Sequence, residues 1–514
     1  MPAASLIAAK PSGTGPFAKI AARPLTLALI TLALLTAARV NGRVDSDVAW
    51  QLWIAERIHA GANLYTDIVE TNPPLWFWMA VPVERLAALL DVRIESLLIL
   101  AMSFITALSL AATDRFAVHI EPARRSLLLA YGAIILAAMP WMHVGQREQI
   151  VLIATLPYAA LVASRREGRS VSVLTAASIG AGAALGFALK QYFLLVPAML
   201  ELWLLAGKRR AWRAIRPETL ALVAVGVSYA AAIAFIEPDF IGRIVPLIRL
   251  AYGSFGAPGV RYLFGPFAIV GLLLLGALSF SARVLGGRST PIASAMTVAA
   301  FTFALVYFIQ FKGWPYHAIP LIGCASIALA SLLAEGKQTP PWLRVFAPAL
   351  LLLPLALSAQ EELNPALPSP DLLNAVSGLR PGDSVGFLTT ETAIPWSVTL
   401  QGHYRYASRY NGFWMMRAIL RNEHARSPDP RLTALGRQIA AETAYDFACI
   451  PPKRIIVTRP RPGEATFDTL PFFLRDRDFA LLLSHYRVRS RTSLETYELA
   501  SPFPALSSSC RKGV

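Results

Sequence analysis

The sequence predicts a polytopic α-helical membrane protein with a small α/β domain at its C-terminal end. Composition is the first reason: 55% of the 514 residues are hydrophobic and only 16% are charged, whereas soluble domains carry about 25% charged residues. The mean hydropathy of +0.49 agrees with this composition. The second reason is a close succession of long apolar runs, and the third is a change of pattern after residue 360.

Apolar runs long enough to cross a bilayer, about 17–25 residues each, fill most of the first 360 residues. Such runs must be helical, because an open strand edge in lipid leaves backbone groups unpaired. A further, weaker run covers 74–90, and we therefore expect about 11–12 transmembrane helices. The strong runs lie near 24–41, 95–118, 126–142, 149–163, 172–189, 191–207, 218–236, 262–282, 291–311, 316–334 and 342–359.

Positive charge is concentrated in short segments between these runs, and the net charge is +16. Basic loops between spanning helices are typical of loops held in the cytoplasm, so we exclude nucleic acid as a partner. We expect a multi-pass protein of the bacterial inner membrane, with the region after residue 360 outside the cytoplasm. The basic loops lie around 165–169 and 208–216, with weaker ones around 283–288 and 337–344.

The first part of the chain does not alternate simply between the two sides. If the N-terminus is the cytoplasmic flank of an uncleaved first helix, segment 42–73 lies outside. A cleaved signal peptide is the rival interpretation, but no clear small-residue cleavage site precedes Asp45. Four runs then separate segment 42–73 from the basic loop at 164–169, and four crossings would place that loop outside.

The run at 74–90 is the weakest of these four. It contains Pro82, Glu84 and Arg85, and a charge at mid-bilayer costs about 2.5–3.5 kcal/mol on insertion scales. We therefore expect this run to be short, tilted or partly interfacial, which would restore the alternation.

The pattern after residue 360 divides the chain into a transmembrane domain, 1–360, and an extracytoplasmic α/β domain, 361–514. The second part alternates short apolar runs with Pro, Gly and charged clusters. Alternating and β-branched residues predict two strands, and helical periodicity predicts two helices. The strands are Ser384–Thr389 and Arg454–Thr458, and the helices are Trp414–Leu420 and Leu432–Tyr445.

Two of the three cysteines, Cys449 and Cys510, lie in the C-terminal part, and Cys324 lies in an apolar run. A pair of cysteines in an oxidising compartment tends to be bonded, so we expect a disulfide between Cys449 and Cys510. The alternative is a buried Cys449 and a free thiol in the tail. The spacing of the cysteines does not match a zinc site.

The first outer loop, 42–73, is the most informative segment. Asp45 and Asp47 follow the first apolar run, and Trp50, Trp53 and Ile54 then recur at helical spacing. This spacing predicts an amphipathic helix over Asp47–Ala60 at the membrane surface, which Gly61 ends. The simplest interpretation of the two acids is that they cap this helix, since such caps are common.

The remainder of this loop resembles the polyprenyl-phosphate-sugar-dependent glycosyltransferases of the GT-C class. These include the protein O-mannosyltransferases and the aminoarabinose transferases that modify lipid A. In that family an acid after the first helix is followed by G-x-x-x-Y-x-D and a PPL-type start of the next helix. The matching residues here are Asp47, Gly61, Tyr65, Asp67 and Pro73-Pro74-Leu75, over about thirty residues. The chain departs from the pattern in one respect, because Val48 stands where many members have Glu.

Two later segments could complete a site of this kind. Arg147 and Glu148 begin an apolar run, where the family carries a second acid on an outer loop; both could also be interface anchors. Lys312, Tyr316 and His317 lie between two long runs. The alternative without a functional role is a snorkelling lysine beside an aromatic belt. Lys312 and His317 are suited to holding a lipid phosphate.

The resemblance implies a GT-C-like fold and an integral membrane glycosyltransferase that moves a hexose or pentose from a polyprenyl-phosphate donor to an acceptor hydroxyl, with inversion. Asp47 would act as general base, and Asp45 or Glu148 would orient the acceptor. We expect Lys312, His317 and Arg147 to stabilise the leaving phosphate. The other expected substrate-binding residues are Tyr316, Tyr65, Asp67 and Asn72.

We expect no cofactor and no metal site, although the sequence leaves the use of a divalent metal open. The expected partners are the lipid-linked donor, membrane lipids and an acceptor that could be an envelope glycan, lipid or protein. A transporter or flippase for a lipid-linked envelope precursor is the main alternative. That class usually carries ionisable residues deep within its helices and paired repeats, and neither is clear in this sequence. A third class is a non-catalytic membrane scaffold, which would leave Asp47 without a role.

Overall fold

The computed structural model describes residues 23–255, 260–284, 290–335, 341–363, 368–459, 468–501 and 510. Lys10 and Lys19 of the N-terminal flank and parts of the two weaker basic loops lie outside these residues. Each of the twelve apolar runs, including 74–90, is occupied by a helix. The helix of the first outer loop is counted as α2. In chain order the helices are α1 Pro24–Arg39, α2 Ser46–His59, α3 Leu75–Leu90, α4 Ile94–Asp114, α5 Pro122–Ala137, α6 Arg147–Glu167, α7 Val173–Phe187, α8 Leu195–Lys208 and α9 Pro217–Ile236.

Two short helices, α10 Val245–Ala251 and α11 Val260–Leu263, follow α9 before the apolar helices resume. The remaining helices of this part are α12 Pro266–Val284, α13 Pro291–Gln310, α14 Ile319–Glu335 and α15 Pro341–Leu363. In the described part of the chain, six helices are long and apolar enough to cross a membrane, and α1 and α7 are shorter apolar helices. The predicted polytopic helical fold is confirmed.

Helix α3 begins and ends on the same face of the helix bundle. At its start, Trp78 Nε1 donates to Glu237 just beyond α9, at 3.4 Å. Just beyond its end, Arg93 donates to the carbonyl of Asn41, which follows α1, at 3.3 Å. The run at 74–90 therefore does not cross, and the alternation of the other helices is restored.

Contacts between loops divide the bundle into two faces. On the face that we call the site face, His143 meets Asp45 at 2.8 Å and Lys190 meets Gln310 at 3.4 Å. The opposite face, which we call the basic face, carries the loops 164–172 and 207–217. There Arg165 binds Glu218 at 3.0 Å. The basic loops at 165–169 and 208–216 therefore lie together, as the charge pattern predicts.

Small residues let α7 and α9 approach closely. A Cβ atom at Gly180 of α7 would collide with the backbone of Glu218 at the start of α9. This close approach agrees with the expected role of glycine-rich stretches in helix packing.

The C-terminal part contains a five-stranded mixed sheet with the strand order β2-β1-β3-β5-β4. Strands β1, β2 and β3 are parallel, and β5 is antiparallel to both β3 and β4. The strands are β1 Ser384–Leu388, β2 Arg405–Tyr406, β3 Arg454–Thr458, β4 Tyr486–Arg491 and β5 Leu494–Leu499; the helices are α16 Pro370–Ala375, α17 Ala393–Trp396, α18 Met416–Glu423, α19 Pro430–Cys449, α20 Leu470–Phe473 and α21 Arg477–Leu483.

The two predicted strands correspond to β1 and β3, and the two predicted helices to α18 and α19. Helix α18 begins two residues later than expected, at Met416, and α19 extends further at both ends. Cys449 and Cys510 form a disulfide, with their Cα atoms 5.6 Å apart, and Cys324 is a buried free thiol. The predicted pairing of the cysteines is confirmed.

The C-terminal part packs directly on the first outer loop. The backbone N–H of Val69 donates to the carbonyl of Arg409 at 2.8 Å. The indole rings of Trp50 and Trp53 lie 5.1 and 5.5 Å from that of Trp396 on α17. The sheet and its helices therefore lie at the site face.

Candidate active site

A cavity of about 320 Å³ opens at the site face. Its walls come from α2, the strand-like segment after it, the turns before α6, α8 and α14, and loops of the C-terminal part. It is lined by Asp47, Trp50, Gln51, Val69, Glu70, Thr71, Asn72, Pro73, Arg147, Lys190, Gln191, Tyr192, Ile248, Tyr252, Gln310, Lys312, Trp314, Tyr316, His317, Thr392, Asn411 and Trp414. Six residues predicted from the sequence are thus brought together: Asp47, Asn72, Arg147, Lys312, Tyr316 and His317.

Helix α2 holds Asp47 at the cavity. Its N-cap is Asp45, whose side chain accepts from the N–H of Val48 at 2.8 Å. This cap fixes the first turn, which presents Asp47 to the cavity. The helix ends before Gly61, which has a φ of +95° that side chains rarely tolerate.

The environment of the Asp47 carboxylate raises its pKa. Burial and the nearby charge of Asp45 raise its pKa to about 6, while a hydrogen bond from Tyr316 and the charge of Arg147 oppose the increase. The Tyr316 hydroxyl donates to Asp47 at 2.9 Å. At neutral pH most of the carboxylate is therefore ionised, and a carboxylate with such a pKa is chemically able to act as a general base.

Asp45 does not line the cavity. It accepts from Gln146 at 3.1 Å and meets the ring of His143 at 2.8 Å. Glu361, at the end of α15, lies 3.5 Å from the other nitrogen of His143. Burial lowers the pKa of His143, but the hydrogen bonds to the two carboxylates outweigh it and raise the pKa to about 10. Asp45 is thus a helix cap paired with an imidazolium, as the simplest interpretation predicts.

Arg147 supplies a buried cation at the cavity. It is the first residue of α6 and is only 4% exposed. Its Nε and Nη2 atoms have no hydrogen-bond partner within the protein, and its guanidinium lies 5.9 Å from the ring of Phe77. A buried donor without a partner is costly, and an anion in the cavity would satisfy these N–H groups.

Glu148 does not line the cavity, and its carboxylate binds Lys190. The ammonium of Lys190 lies 2.6 Å from Glu148 Oε1 and 3.3 Å from His317 Nε2. Burial lowers the pKa of Lys190, and the carboxylate of Glu148 opposes this decrease. The expectation that Glu148 orients the acceptor gains no support from this position. Its contact instead fixes a second cation, Lys190, at the cavity wall.

Lys312 lies at the cavity mouth, with its ammonium 4.5 Å from the centre of the Tyr252 ring. Partial burial lowers its pKa. His317 is 4% exposed and lies beside Lys190. Three cations and one imidazole therefore line the same cavity as Asp47, which makes it suited to a phosphate.

Asn72 lines the cavity, whereas Tyr65 and Asp67 lie behind its wall. Glu70 accepts from both the backbone N–H and the side chain of Asn72, at 2.7 and 2.6 Å. Tyr65 has a positive φ of 74°, and its hydroxyl donates to the Asn72 carbonyl at 2.7 Å. Asp67 accepts from the N–H of Asn63 at 2.9 Å. Tyr65 and Asp67 therefore shape the loop that presents Asn72 and Glu70.

Several lining residues were not predicted from the sequence. Lys190 is the only charged residue in 170–200, a signal that could have found it. Glu70 is 4% exposed and also accepts from Trp50 Nε1; it lies two residues before Asn72. Thr392, Asn411 and Trp414 come from the C-terminal part, and nothing local in the sequence connects them with the first outer loop.

Metal ligation finds no support in the described residues. No group of three or more His, Cys, Asp and Glu side chains among them has an arrangement that could hold a metal ion.

No protein-family model and no curated protein matches the sequence. Solved structures do match. ArnT from Cupriavidus metallidurans bound to undecaprenyl phosphate is 14% identical, with a TM-score of 0.52 over 95% of this chain and 98% of that one. The same protein in the apo state has a TM-score of 0.51 at 14% identity, over 93% and 99% of the two chains. The chain has the ArnT fold.

The expectation of a GT-C-like fold is confirmed by this match, which covers nearly the whole length of both chains. The oligosaccharyltransferase of Archaeoglobus fulgidus, tethered with an acceptor peptide, also aligns. Its identity is 11% and its TM-score 0.45, over 95% of this chain and 74% of that one, which is too weak to support an argument. At 14% identity the likeness to ArnT concerns the fold alone.

Proposed function

We propose that this protein transfers a sugar from a polyprenyl-phosphate donor to an acceptor hydroxyl at the outer face of the bacterial inner membrane. One observation carries the proposal: a single cavity holds a carboxylate with a pKa of about 6, Asp47, and a buried guanidinium with unpartnered N–H groups, Arg147. A base for a hydroxyl and a receptor for a phosphate are the two groups that this reaction needs. The ArnT fold supports the proposal, since one ArnT structure contains undecaprenyl phosphate.

The reaction follows from these positions. Asp47 removes the proton of the acceptor hydroxyl as its oxygen attacks the anomeric carbon of the donor. The bond between that carbon and the phosphate oxygen breaks, and the phosphate leaves with the electron pair. Arg147, Lys190 and Lys312 stabilise the developing charge, and fixed cations act strongly where water is excluded. Attack from the side opposite the leaving phosphate inverts the anomeric configuration.

The function is tested by a transfer assay in detergent. Purified protein is mixed with a set of undecaprenyl-phosphate sugars and an envelope extract from a strain that lacks the protein. We expect a lipid, glycan or protein of the extract to gain the mass of one hexose or pentose residue. Mass spectrometry identifies both sugar and acceptor. A transporter or flippase would produce no such product in detergent, where there are no compartments, and that result would refute the transferase.

The proposed orientation places the basic face in the cytoplasm and residues 361–514 outside. Protease added to intact spheroplasts should then release fragments of the C-terminal domain, while the loop 207–217 remains protected. Antibodies against one tag at the C-terminus and another in that loop show which of the two segments the protease has cleaved. Protection of the C-terminal domain, with cleavage at the loop, would reverse the orientation.

Replacing Tyr316 with phenylalanine should shift the pH dependence of transfer. Its hydroxyl donates to Asp47 and lowers that pKa, so its removal raises the pKa further. The acid limb of kcat/KM, expected near pH 6 in the wild type, should therefore move to higher pH. The measurement is a pH–rate profile. If the acid limb of the profile does not move in a folded Tyr316→Phe variant, the limb does not report the ionisation of Asp47.

A further inference from the structure

A second cavity, of about 460 Å³, lies at the basic face, far along the bundle from the active site. It is bounded by the end of α6, the end of α8 with the loop after it, and the start of α9. The cavity is lined by Arg165, Gly168, Arg169, Ser170, Leu204, Lys208, Ala211, Trp212, Arg213, Ile215, Arg216 and Pro217. We propose that it binds the anionic headgroup of a glycerophospholipid, with the acyl chains along α9.

Carboxylates of the protein neutralise only part of the positive charge of this cavity. Arg169 pairs with Glu167 at 2.9 Å, and Arg165 pairs with Glu218 at 3.0 Å. Arg216 pairs with both Glu201 and Glu218.

Lys208 and Arg213 complete the cationic wall. No carboxylate of the described residues lies within ion-pair distance of either. Two cations thus face a cavity whose other charges are already compensated, and a phosphodiester between them would accept hydrogen bonds from both and offset one of the two charges.

The same cavity has an apolar side, which favours a lipid over free phosphate. Ile215 is 77% exposed, although it is a large apolar residue between two arginines. Trp212 is half-buried, and its Nε1 donates to Glu201 at 3.2 Å. Aromatic residues of this kind are typical of the membrane interface.

Apolar surface continues from the cavity along α9. No residue of the apolar window of this helix is buried within the protein. Leu220, Val223 and Val227 lie on one side of the helix at 55–63% exposure. The helix begins at Pro217, on the cavity wall. A headgroup phosphate at Lys208 and Arg213 therefore leaves the acyl chains beside the exposed apolar side of α9.

Basic loops attract anionic membranes in general, so the test must separate a site from diffuse attraction. The test variant is Lys208→Gln/Arg213→Gln, which removes two cations that line the cavity. The matched control is Arg209→Gln/Arg210→Gln, which removes the same charge from the same loop, at residues that do not line the cavity. Full-length protein is purified in neutral detergent, incubated with phosphatidylglycerol or phosphatidylcholine, and examined by native mass spectrometry.

We expect the wild type and the control to retain phosphatidylglycerol, and the test variant, which lacks two cations, to bind it about 30-fold more weakly. Equal weakening in the control would show diffuse attraction and overturn the proposal. Displacement of the lipid by excess inorganic phosphate would assign the cavity to a free anion instead. If the test variant does not fold, wild-type protein is cross-linked with photoactivatable phosphatidylglycerol. Adducts on residues 204–220 would support the site, and adducts only elsewhere would refute it.

Discussion

Replacement of Asp47 with asparagine is expected to lower kcat for sugar transfer by about 10²–10⁴-fold, the usual contribution of a positioned general base. The amide keeps the shape of the side chain and can still accept the hydrogen bond from Tyr316, so the cavity should be preserved. It cannot take the proton of the acceptor hydroxyl. The measurement is single-turnover transfer with the donor and acceptor that the mass-spectrometric assay identifies.

The control for this variant is Glu56→Gln. Glu56 lies on the same helix, α2, but not on the cavity wall, so its loss of charge should leave kcat close to the wild-type value. Near-normal turnover in Asp47→Asn would remove Asp47 from the role of base. Glu70 would then become the first alternative, because it is the other carboxylate on the cavity wall.

The second large effect is expected at Arg147. Changing it to glutamine should lower kcat by about 10²–10³-fold, the usual cost of losing one preorganised donor to a developing anion. The guanidinium is buried, and two of its nitrogens have no partner within the protein, so its replacement leaves Lys190 and Lys312 to stabilise the leaving phosphate without it. A large defect is expected with each acceptor, since the phosphate belongs to the donor. The measurement is kcat and KM for the donor at saturating acceptor.

Lys312→Gln is the matched comparison. Lys312 is half-buried and lies over the ring of Tyr252, so solvent screens its charge. Its loss should raise KM for the donor by about fivefold, in proportion to the roughly 1 kcal/mol of an exposed ion pair. If the two variants had equal effects, or if Arg147→Gln changed only the KM of the acceptor, Arg147 would not contact the donor phosphate.

Local patterns explain which features could be predicted from the sequence. The start of α2 and the cap at Asp45 depend on neighbouring residues, and both are present in the structure. The expected amphipathic helix at the membrane surface is not observed, because Val48–Ala55 are all buried and Trp50 and Trp53 pack on Trp396 of the C-terminal part. The weak run at 74–90 was identified by its own charges, but the same-face position of its ends follows from contacts with Asn41 and Glu237. Those contacts join distant parts of the chain.

The residues of the site also divide into those that local sequence patterns mark and those that only tertiary contacts bring to the cavity. Asp47 and Arg147 lie at helix starts, where a sequence pattern marks them, and both line the cavity. The pairing of Glu148 with Lys190 joins α6 to the turn after α7, and no periodicity indicates it. Asn411 and Trp414 reach the cavity only because the C-terminal sheet packs on the first outer loop, which is a tertiary contact between the two ends of the chain.

That packing has a consequence for the biosynthesis of the protein. The first outer loop leaves the ribosome early, whereas Arg409, which accepts the hydrogen bond from Val69, is synthesised after all the apolar helices. The nascent chain can therefore complete its membrane insertion while the cavity still lacks the wall that contains Asn411 and Trp414. Folding of the C-terminal part then closes this wall as one of the last steps. A chain truncated before the sheet would keep Asp47 and Arg147 but not the enclosure that excludes water around them.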